Sequence, residues 1–303
     1  MERKEFVLQS SYDGLQLKGT IYEPKGEKKA IVQLVHGMCE HKGRYEEYMQ
    51  FLAEHGYVAA CHDHRGHGDS VEKEEDRGWF HDFDGKAIVD DAVAVTEYLK
   101  GQYPNLPVVL FGHSMGSMVV RCYLQEHDDK IQKLIVCGSP SQNPLAGIAI
   151  FMTKCIRLFK GERHRSKMLA YLSTGKGDKK FKGEGKGAWL SRNRENIALY
   201  ATDPKCKFIF TCNGFENLFK LMKNTYDKKK YKVKNPNLPI RFVSGSEDAV
   251  LVNERKWREA IESMRKIGYT NATGVLYEGM RHEILNELGR EEVYQDLNSF
   301  LEN

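Results

Sequence analysis

The first 140 residues combine two patterns of hydrophobic and polar positions. Short, continuous apolar runs indicate buried strands, and apolar positions three or four residues apart indicate one face of an amphipathic helix. The predicted strands are 15–21, which alternates with period two, 30–35, 57–61, 107–111 and 131–137; the predicted helices are 44–55 and one that begins at Ile88. Strands that alternate with helices predict β-α-β units and a mostly parallel sheet, an α/β fold.

This pattern breaks at Pro140 and resumes near Pro236. The later segment contains the predicted strands 240–244 and 273–277 and the predicted helices 252–267 and 286–302. A helical insertion in a parallel-sheet domain is typical of a lid. We therefore predict a core in two parts with a helical, basic lid between them, with bounds 1–140, 141–236 and 237–303.

The composition predicts a globular protein. With 303 residues, of which 41% are hydrophobic, the chain can bury a large core. Its longest apolar run, 145–152, is far shorter than the roughly 20 residues that span a bilayer. No apolar segment follows the N-terminus, so no secretory signal is expected. The seven cysteines are odd in number and lack Cys-x-x-Cys spacing, which favours free thiols and a cytoplasmic location.

The charge is unevenly distributed along the chain. The net charge is +4, but residues 145–235 contain 22 Lys and Arg against 7 Asp and Glu, a local charge of +15. The remainder contains 24 against 35, a charge of −11. The basic segment is either a solvated surface that keeps the protein soluble or an interface for an anionic lipid, acyl carrier or phosphate-bearing substrate.

A Gly-x-Ser-x-Gly pattern, Gly112-His113-Ser114-Met115-Gly116, follows the predicted strand 107–111 and precedes a helical stretch. The pattern alone is common by chance, but a strand before it and a helix after it are the context of a nucleophile elbow. The glycines suit a crowded turn, and the helix N-terminus directs free N–H groups at Ser114. A serine that merely caps the helix is the alternative. Ser114 is the candidate nucleophile.

A serine nucleophile needs a base, and the base needs an acid that orients it. The predicted strand 240–244 leads into Glu247 and Asp248, and the strand 273–277 leads towards His282, the only histidine after position 164. His282 is therefore the candidate base. Asp248 and Glu247 compete as the acid; Asp248 is favoured because it lies further along the turn, where its carboxylate can reach over the sheet edge.

The transition state of acyl transfer also needs donors for its oxyanion. One should be the backbone N–H of Met115, the residue after the nucleophile. The other should come from the loop 36–45, after the predicted strand 30–35, where the Met38 N–H is the candidate and Gly37 allows a close backbone approach.

Two further patterns are weaker. Three histidines in the segment 62–67 suggest zinc, but Gly66 stands where a metallo-hydrolase would place an Asp. We interpret this segment as a polar loop in which Asp63 and Arg65 brace the backbone of the loop 36–45. The loop 175–187 is rich in Gly and Lys but lacks the features of a phosphate cradle. No cofactor, metal or nucleic acid is predicted.

Taken together, these motifs resemble those of one family. They are the loop His36 to Tyr45, the segment His62 to Ser70, the elbow around Ser114, Gly245-Ser246-Glu247-Asp248 and Tyr277 to His282. The set is similar to the motifs of monoacylglycerol lipases and bacterial lysophospholipases, serine aminopeptidase-like hydrolases of the α/β-hydrolase fold. The resemblance spans about 1–140 and 237–303. It implies the triad Ser114, Asp248 and His282, with Met38 and Met115 as oxyanion donors.

The resemblance also implies a serine carboxylester hydrolase that cleaves a single-chain lipid ester, a monoacylglycerol or lysophospholipid, through an acyl-enzyme. The family's cap is short and variable, whereas the predicted lid has about 95 residues and is basic, so no single relative's substrate transfers directly. An esterase, thioesterase or peptidase for smaller substrates is the alternative. A non-catalytic ligand-binding relative would be expected to lack one of the three triad positions, and all three are filled.

The apolar stretch 145–159 has two interpretations. In the first, it lines an acyl tunnel and contacts micelles or an anionic membrane, with its basic edge against the headgroups. A cytoplasmic protein would then associate peripherally with membranes. Alternatively, it forms the lid's own hydrophobic core.

Overall fold

The computed structural model describes residues 1–174 and 177–303. The strands are β1 (Glu2–Gln9), β2 (Gln16–Glu23), β3 (Ala30–Val35), β4 (Tyr57–His62), β5 (Val108–His113), β6 (Lys133–Cys137), β7 (Ile240–Gly245) and β8 (Ala272–Tyr277). They form one sheet in the order β1-β2-β4-β3-β5-β6-β7-β8. The β1–β2 and β2–β4 pairs are antiparallel and the other pairs are parallel, which confirms the predicted mostly parallel sheet.

Helices cover both faces of this sheet. They are α1 (Glu46–Glu54), α2 (Ala87–Gln102), α3 (Met115–His127), α4 (Ala146–Lys160), α5 (Lys167–Ser173), α6 (Gly177–Lys180), α7 (Arg194–Thr202), α8 (Cys212–Thr225), α9 (Glu254–Ile267) and α10 (Arg290–Glu302). Apolar side chains of α1 and α10 form a core on one face, and those of α2, α3, α8 and α9 form a core on the other. Burial on both faces explains why β3 and β4 are mostly apolar, with Gln33 and His62 as their polar residues.

The helices α4 to α8 lie between β6 and β7 in the chain. In this insertion α4 packs against α8, and α8 packs against α3 of the core. Of the loop 175–187, Gly175 and Lys176 lie outside the described residues, and 177–180 form the short helix α6. The division into a core of two parts and a lid stays a prediction.

The sequence patterns missed one strand and misplaced three helix starts. α1 begins at Glu46 rather than 44, because residues 42–45 form a separate 3-10 turn. β1 escaped prediction because, as an edge strand, it buries only Phe6. α9 begins at Glu254 rather than 252, since the Asn253 side chain accepts from the Lys256 N–H and caps the helix there. α10 begins at Arg290 rather than 286, because residues 284–286 form a separate 3-10 turn.

All seven cysteines are free thiols, and six of them are buried. Among residues 1–174 and 177–303, no helix is both long enough and apolar enough to cross a membrane.

Candidate active site

Ser114 lies in a strained turn between β5 and α3. Its backbone has φ 53° and ψ −115°, a left-handed conformation that few residues other than glycine adopt. The Ser114 N–H donates to the Cys137 carbonyl at the end of β6 (2.9 Å), and the Ser114 carbonyl accepts from the Ser117 N–H (3.0 Å). These bonds hold the turn in place and leave the Ser114 side chain half-buried.

The two glycines of the motif are needed for close packing. A Cβ at Gly112 would lie 2.5 Å from the Gly116 carbonyl oxygen, and a Cβ at Gly116 would lie 2.0 Å from the Val35 carbonyl oxygen. Both obstacles are backbone atoms, which cannot rotate away. The glycines therefore let α3 begin directly beside the end of β3.

His282 and Asp248 form a buried pair at the same edge of the sheet. The His282 Nδ1–H donates to Asp248 Oδ2 at 2.9 Å, and both side chains are almost inaccessible to solvent. Because β5 to β8 are parallel neighbours, their carboxyl ends, and the residues that follow them, share one edge. The hydrogen bond at Nδ1 leaves His282 Nε2 free to take up a proton.

Asp248 is held in its ionised form. Burial raises the pKa of the Asp248 carboxyl, but the neighbouring His282, the Val250 N–H (2.8 Å) and the Ser244 hydroxyl (2.8 Å) lower it further than burial raises it. The other candidate acid, Glu247, is instead half-exposed and lies 3.5 Å from Arg281. The structure thus brings Asp248, and not Glu247, to His282.

Ser114 and His282 both lie against the turn that follows β6. Ser114 is bonded to Cys137, and a Cβ at the next residue, Gly138, would lie 3.1 Å from His282 Cε1. The sequence-predicted nucleophile, base and acid therefore gather at one edge of the sheet.

The loop after β3 approaches Ser114 as predicted. A Cβ at Gly37 would lie 3.0 Å from the Ser114 Cβ. Within residues 1–174 and 177–303, neither the Met38 N–H nor the Met115 N–H donates a hydrogen bond. Both N–H groups are therefore unpaired among the described residues, and their role as oxyanion donors stays a prediction.

A family model described as serine aminopeptidase, S33 (Hydrolase_4) matches residues 26–289. The chain belongs to this hydrolase family. It is 28% identical to the monoglyceride lipase of Rattus norvegicus over 284 residues, covering 91% of this chain and 82% of the relative. It is 23% identical to the probable lysophospholipase L2 of Haemophilus influenzae over 290 residues, covering 93% and 86%.

Among solved structures, the hydrolase is similar to a thermostable carboxyl esterase from Bacillus coagulans in complex with glycerol. The TM-score is 0.91 at 26% identity, over 100% of this chain and 98% of the esterase. The similarity extends through the insertion as well as the sheet, so the whole chain shares the esterase's architecture.

The three histidines of 62–67 are core residues of the hydrolase. Burial lowers the pKa of His62 and of His67 to about 3 and keeps both rings neutral. Asp63 braces the loop after β3 as predicted, since it accepts from the Lys42 N–H and Nζ at 2.7 Å each. The expectation for Arg65 was wrong: its guanidinium donates to Asp91 at 2.7 Å and so supports α2 instead.

Sequence reasoning missed a buried polar network around Glu40. The carboxylate accepts from the Gly37 N–H, from the Tyr45 hydroxyl (2.9 Å) and from His113 Nδ1 (3.0 Å). His113 Nε2 donates to the His282 carbonyl at 3.2 Å. The network therefore joins the loop that carries Met38, the residue before the serine, and the segment that carries the base.

His113 is charged in this network because both ring nitrogens face acceptors. Burial lowers the pKa of His113, but the hydrogen bond and charge of Glu40 raise it above its ordinary value. Burial likewise raises the pKa of Glu40, while His113 and Arg44 bring it well below the ordinary range. The two side chains form an ion pair beneath the candidate site.

The insertion also contacts the candidate base. The Trp189 ring lies over His282 with centroids 5.1 Å apart. Arg281, the residue before the base, donates to the Ala188 carbonyl (2.7 Å) and to Glu184 (2.8 Å), and its guanidinium stacks on Phe181. The segment around Trp189 is thereby fixed to the loop that carries His282.

We expect Glu40→Gln to destabilise the fold most in mildly acidic solution. The lowered pKa of Glu40 contributes stability above its unfolded value of about 4.3, and the raised pKa of His113 contributes below its unfolded value of about 6.5. Loss of the buried pair should therefore lower the free energy of unfolding by about 3 kcal/mol near pH 5.5. The loss should shrink as the pH rises through the raised pKa of His113.

Urea unfolding of both proteins at pH 5.5 and pH 9 measures this difference. Glu46→Gln is the matched control, because Glu46 is a partly exposed carboxylate of the adjacent helix paired with Arg3, and its loss should cost less than about 1 kcal/mol at either pH. An equal loss for Glu40→Gln at both pH values would contradict the ion pair.

Proposed function

We propose that this hydrolase cleaves the carboxylic ester bond of single-chain lipids, monoacylglycerols or lysophospholipids, through an acyl-enzyme intermediate. The observation that carries the proposal is Ser114 in its strained turn, gathered with the buried Asp248–His282 pair at one sheet edge. The ester-cleaving relatives named above, a monoglyceride lipase and a probable lysophospholipase, support the substrate class.

The geometry supports the following sequence of steps. Ser114 Oγ attacks the ester carbonyl carbon while its proton passes to His282 Nε2, and the Met38 and Met115 N–H groups bind the developing oxyanion. Collapse breaks the bond to the alcohol, which leaves with the proton from His282. A water molecule, deprotonated by His282, then attacks the acyl-enzyme carbonyl. Collapse breaks the bond to Ser114 Oγ, which takes the proton back from His282, and the fatty acid leaves. Asp248 stays ionised throughout and stabilises the imidazolium.

Asp248→Asn should lower kcat by about 10³- to 10⁴-fold, because an amide cannot hold the same His282 tautomer or stabilise its charge. Glu247→Gln is the matched control: the adjacent acid lies beside Arg281 and not beside the base. Its kcat should change by less than about threefold, since exposed ion pairs contribute little. Steady-state hydrolysis of a soluble ester measures kcat for both variants. Equal losses of kcat in the two variants would contradict the assignment of Asp248 as the acid.

The substrate proposal is tested by an acyl chain-length series of glycerol monoesters, from acetyl to stearoyl. Each methylene buried in an apolar site contributes about 0.8 kcal/mol, so kcat/KM should rise about fourfold per CH₂ until the site is filled. Ser114→Ala should reduce every rate by at least about 10³-fold and abolish labelling by a fluorophosphonate probe.

A maximum at acetyl or butyryl would instead favour the second candidate, a hydrolase of small esters. The similarity to the carboxyl esterase favours that candidate. A folded protein whose Ser114 resists the probe would overturn both candidates, because each requires an activated serine.

We propose further that one face of α4 contacts the lipid surface from which the substrate comes. Apolar side chains are exposed at the N-cap and along one side of this helix, of which only a small part is buried. The exposed set is Leu145, Ile148, Phe151, Leu158 and Phe159, of which the last two are more than three-quarters exposed. Lys154 and Lys160 are exposed on the same helix and suit anionic headgroups.

The double variant Leu158→Glu/Phe159→Glu should bind vesicles of phosphatidylcholine and phosphatidylglycerol at least about tenfold more weakly, because burying one such side chain contributes about 1.5–3 kcal/mol. Val7→Glu, an exposed apolar residue of β1, is the matched control and should bind as the parent does. Co-sedimentation measures binding. Equal vesicle binding by the parent and the double variant would contradict the proposal that α4 contacts the lipid surface.

A further inference from the structure

One cluster of metal-ligating side chains lies outside the proposed catalytic groups. Among residues 1–174 and 177–303, a single group of three His, Cys or carboxylate side chains brings its ligand atoms close together. It consists of His41, Asp203 and Cys206, whose ligand atoms all lie within 4.8 Å of one another. His41 belongs to the loop after β3, while Asp203 and Cys206 belong to the turn that follows α7 in the insertion.

Backbone geometry arranges these side chains. The Cys206 N–H donates to the Asp203 carbonyl at 3.0 Å, so a tight turn brings the carboxylate and the thiol together. The His41 Nδ1 accepts from the Gly43 N–H at 3.2 Å, and His41 Nε2 donates to Asp203 Oδ2 at 2.7 Å. One nitrogen, one oxygen and one sulfur therefore converge from segments more than 160 residues apart.

We infer that His41, Asp203 and Cys206 form a zinc-binding site that joins the loop after β3 to the insertion. Imidazole, carboxylate and thiolate are the three ligand types that Zn²⁺ takes in proteins, and small side-chain movements would bring these atoms to bonding distance. Asp203 is about one-third exposed, so solvent can supply a fourth ligand to the ion.

The charges at the cluster suit a dication. Zn²⁺ displaces the thiol proton of Cys206, and the resulting thiolate and the Asp203 carboxylate together neutralise the ion. The neutral His41 ring binds through Nε2 once its proton moves to Nδ1, at the cost of the weak bond from the Gly43 N–H. Burial raises the pKa of the Cys206 thiol to about 12, an increase that the neighbouring Arg44 guanidinium offsets only in part, so the ion itself has to displace the thiol proton.

The inference is independent of the proposed ester hydrolysis, since none of the three ligands has a step in that reaction. Its structural consequence is a cross-link. His41 lies three residues after Met38, so the ion would fasten the predicted oxyanion loop to the turn after α7. Ion binding to the folded chain alone also raises its stability.

The test uses the full-length protein after treatment with a chelator. Titration with Co²⁺, a spectroscopic substitute for Zn²⁺, should give a thiolate-to-cobalt charge-transfer band that saturates at one equivalent. Zn²⁺ should displace the Co²⁺ and raise the melting temperature. Cys206→Ser should abolish the charge-transfer band, and Asp203→Asn should weaken Zn²⁺ binding by about 100-fold or more.

Cys155→Ser is the matched control, because Cys155 is a half-exposed thiol on α4 outside the cluster. This variant should bind Co²⁺ and Zn²⁺ as the parent does. Asp203→Asn keeps an oxygen that can accept the hydrogen bond from His41, so this variant should stay folded. Circular dichroism checks its fold, so that a loss of Zn²⁺ binding can be distinguished from unfolding.

Three results would overturn the inference. They are the absence of one-equivalent binding, a charge-transfer band that survives Cys206→Ser, and a band lost in Cys155→Ser. None of these results bears on hydrolysis, which the Ser114→Ala comparison tests separately.

Discussion

The close approach of the Ser114 turn to β3 is the constraint on which the rest of the site depends. The turn can form only because Gly112 and Gly116 present no side chain to the backbone of α3 and β3. A left-handed serine costs of order 1–3 kcal/mol, and such strain persists only where the surroundings over-determine it. Here the buried strands β5 and β6 supply that rigidity, since the Ser114 N–H is bonded to the end of β6. The half-buried position of the serine at the sheet edge is thus a product of the sheet.

The rigid sheet does not by itself hold the loops around the serine in place. The ion pair of Glu40 and His113 holds them. A buried ion pair is weak evidence for stability, because the desolvation of both charges offsets their attraction. Its geometry is more informative than its energy. Glu40 accepts from the Gly37 N–H, and His113 donates to the carbonyl of His282, so one pair of charges orients both the loop after β3 and the candidate base.

Much of this could be predicted from the sequence because its signals are local. A buried strand, a Gly-x-Ser-x-Gly turn and a helix are neighbours in the chain, and His282 had no competitor beyond position 164. The Glu40–His113 pair spans 73 positions and the His41–Asp203 pair spans 162, and no periodicity encodes such partners. The prediction for Arg65 was wrong for the same reason, because its partner, Asp91, is positioned by the packing of α2 and not by the neighbouring loop. The strand β1 was not predicted because an edge strand with one buried residue has no apolar run.

The insertion is attached to the core at the places where the chemistry is proposed to occur. Arg281 ties the segment of Trp189 to the base, and the His41–Asp203 bond ties the turn after α7 to the loop of Met38. The outer face of α4, by contrast, leaves Phe151 and Phe159 in solvent. The insertion is thus bonded to both candidate catalytic loops through residues 184–206, while the face proposed to contact lipid lies on α4.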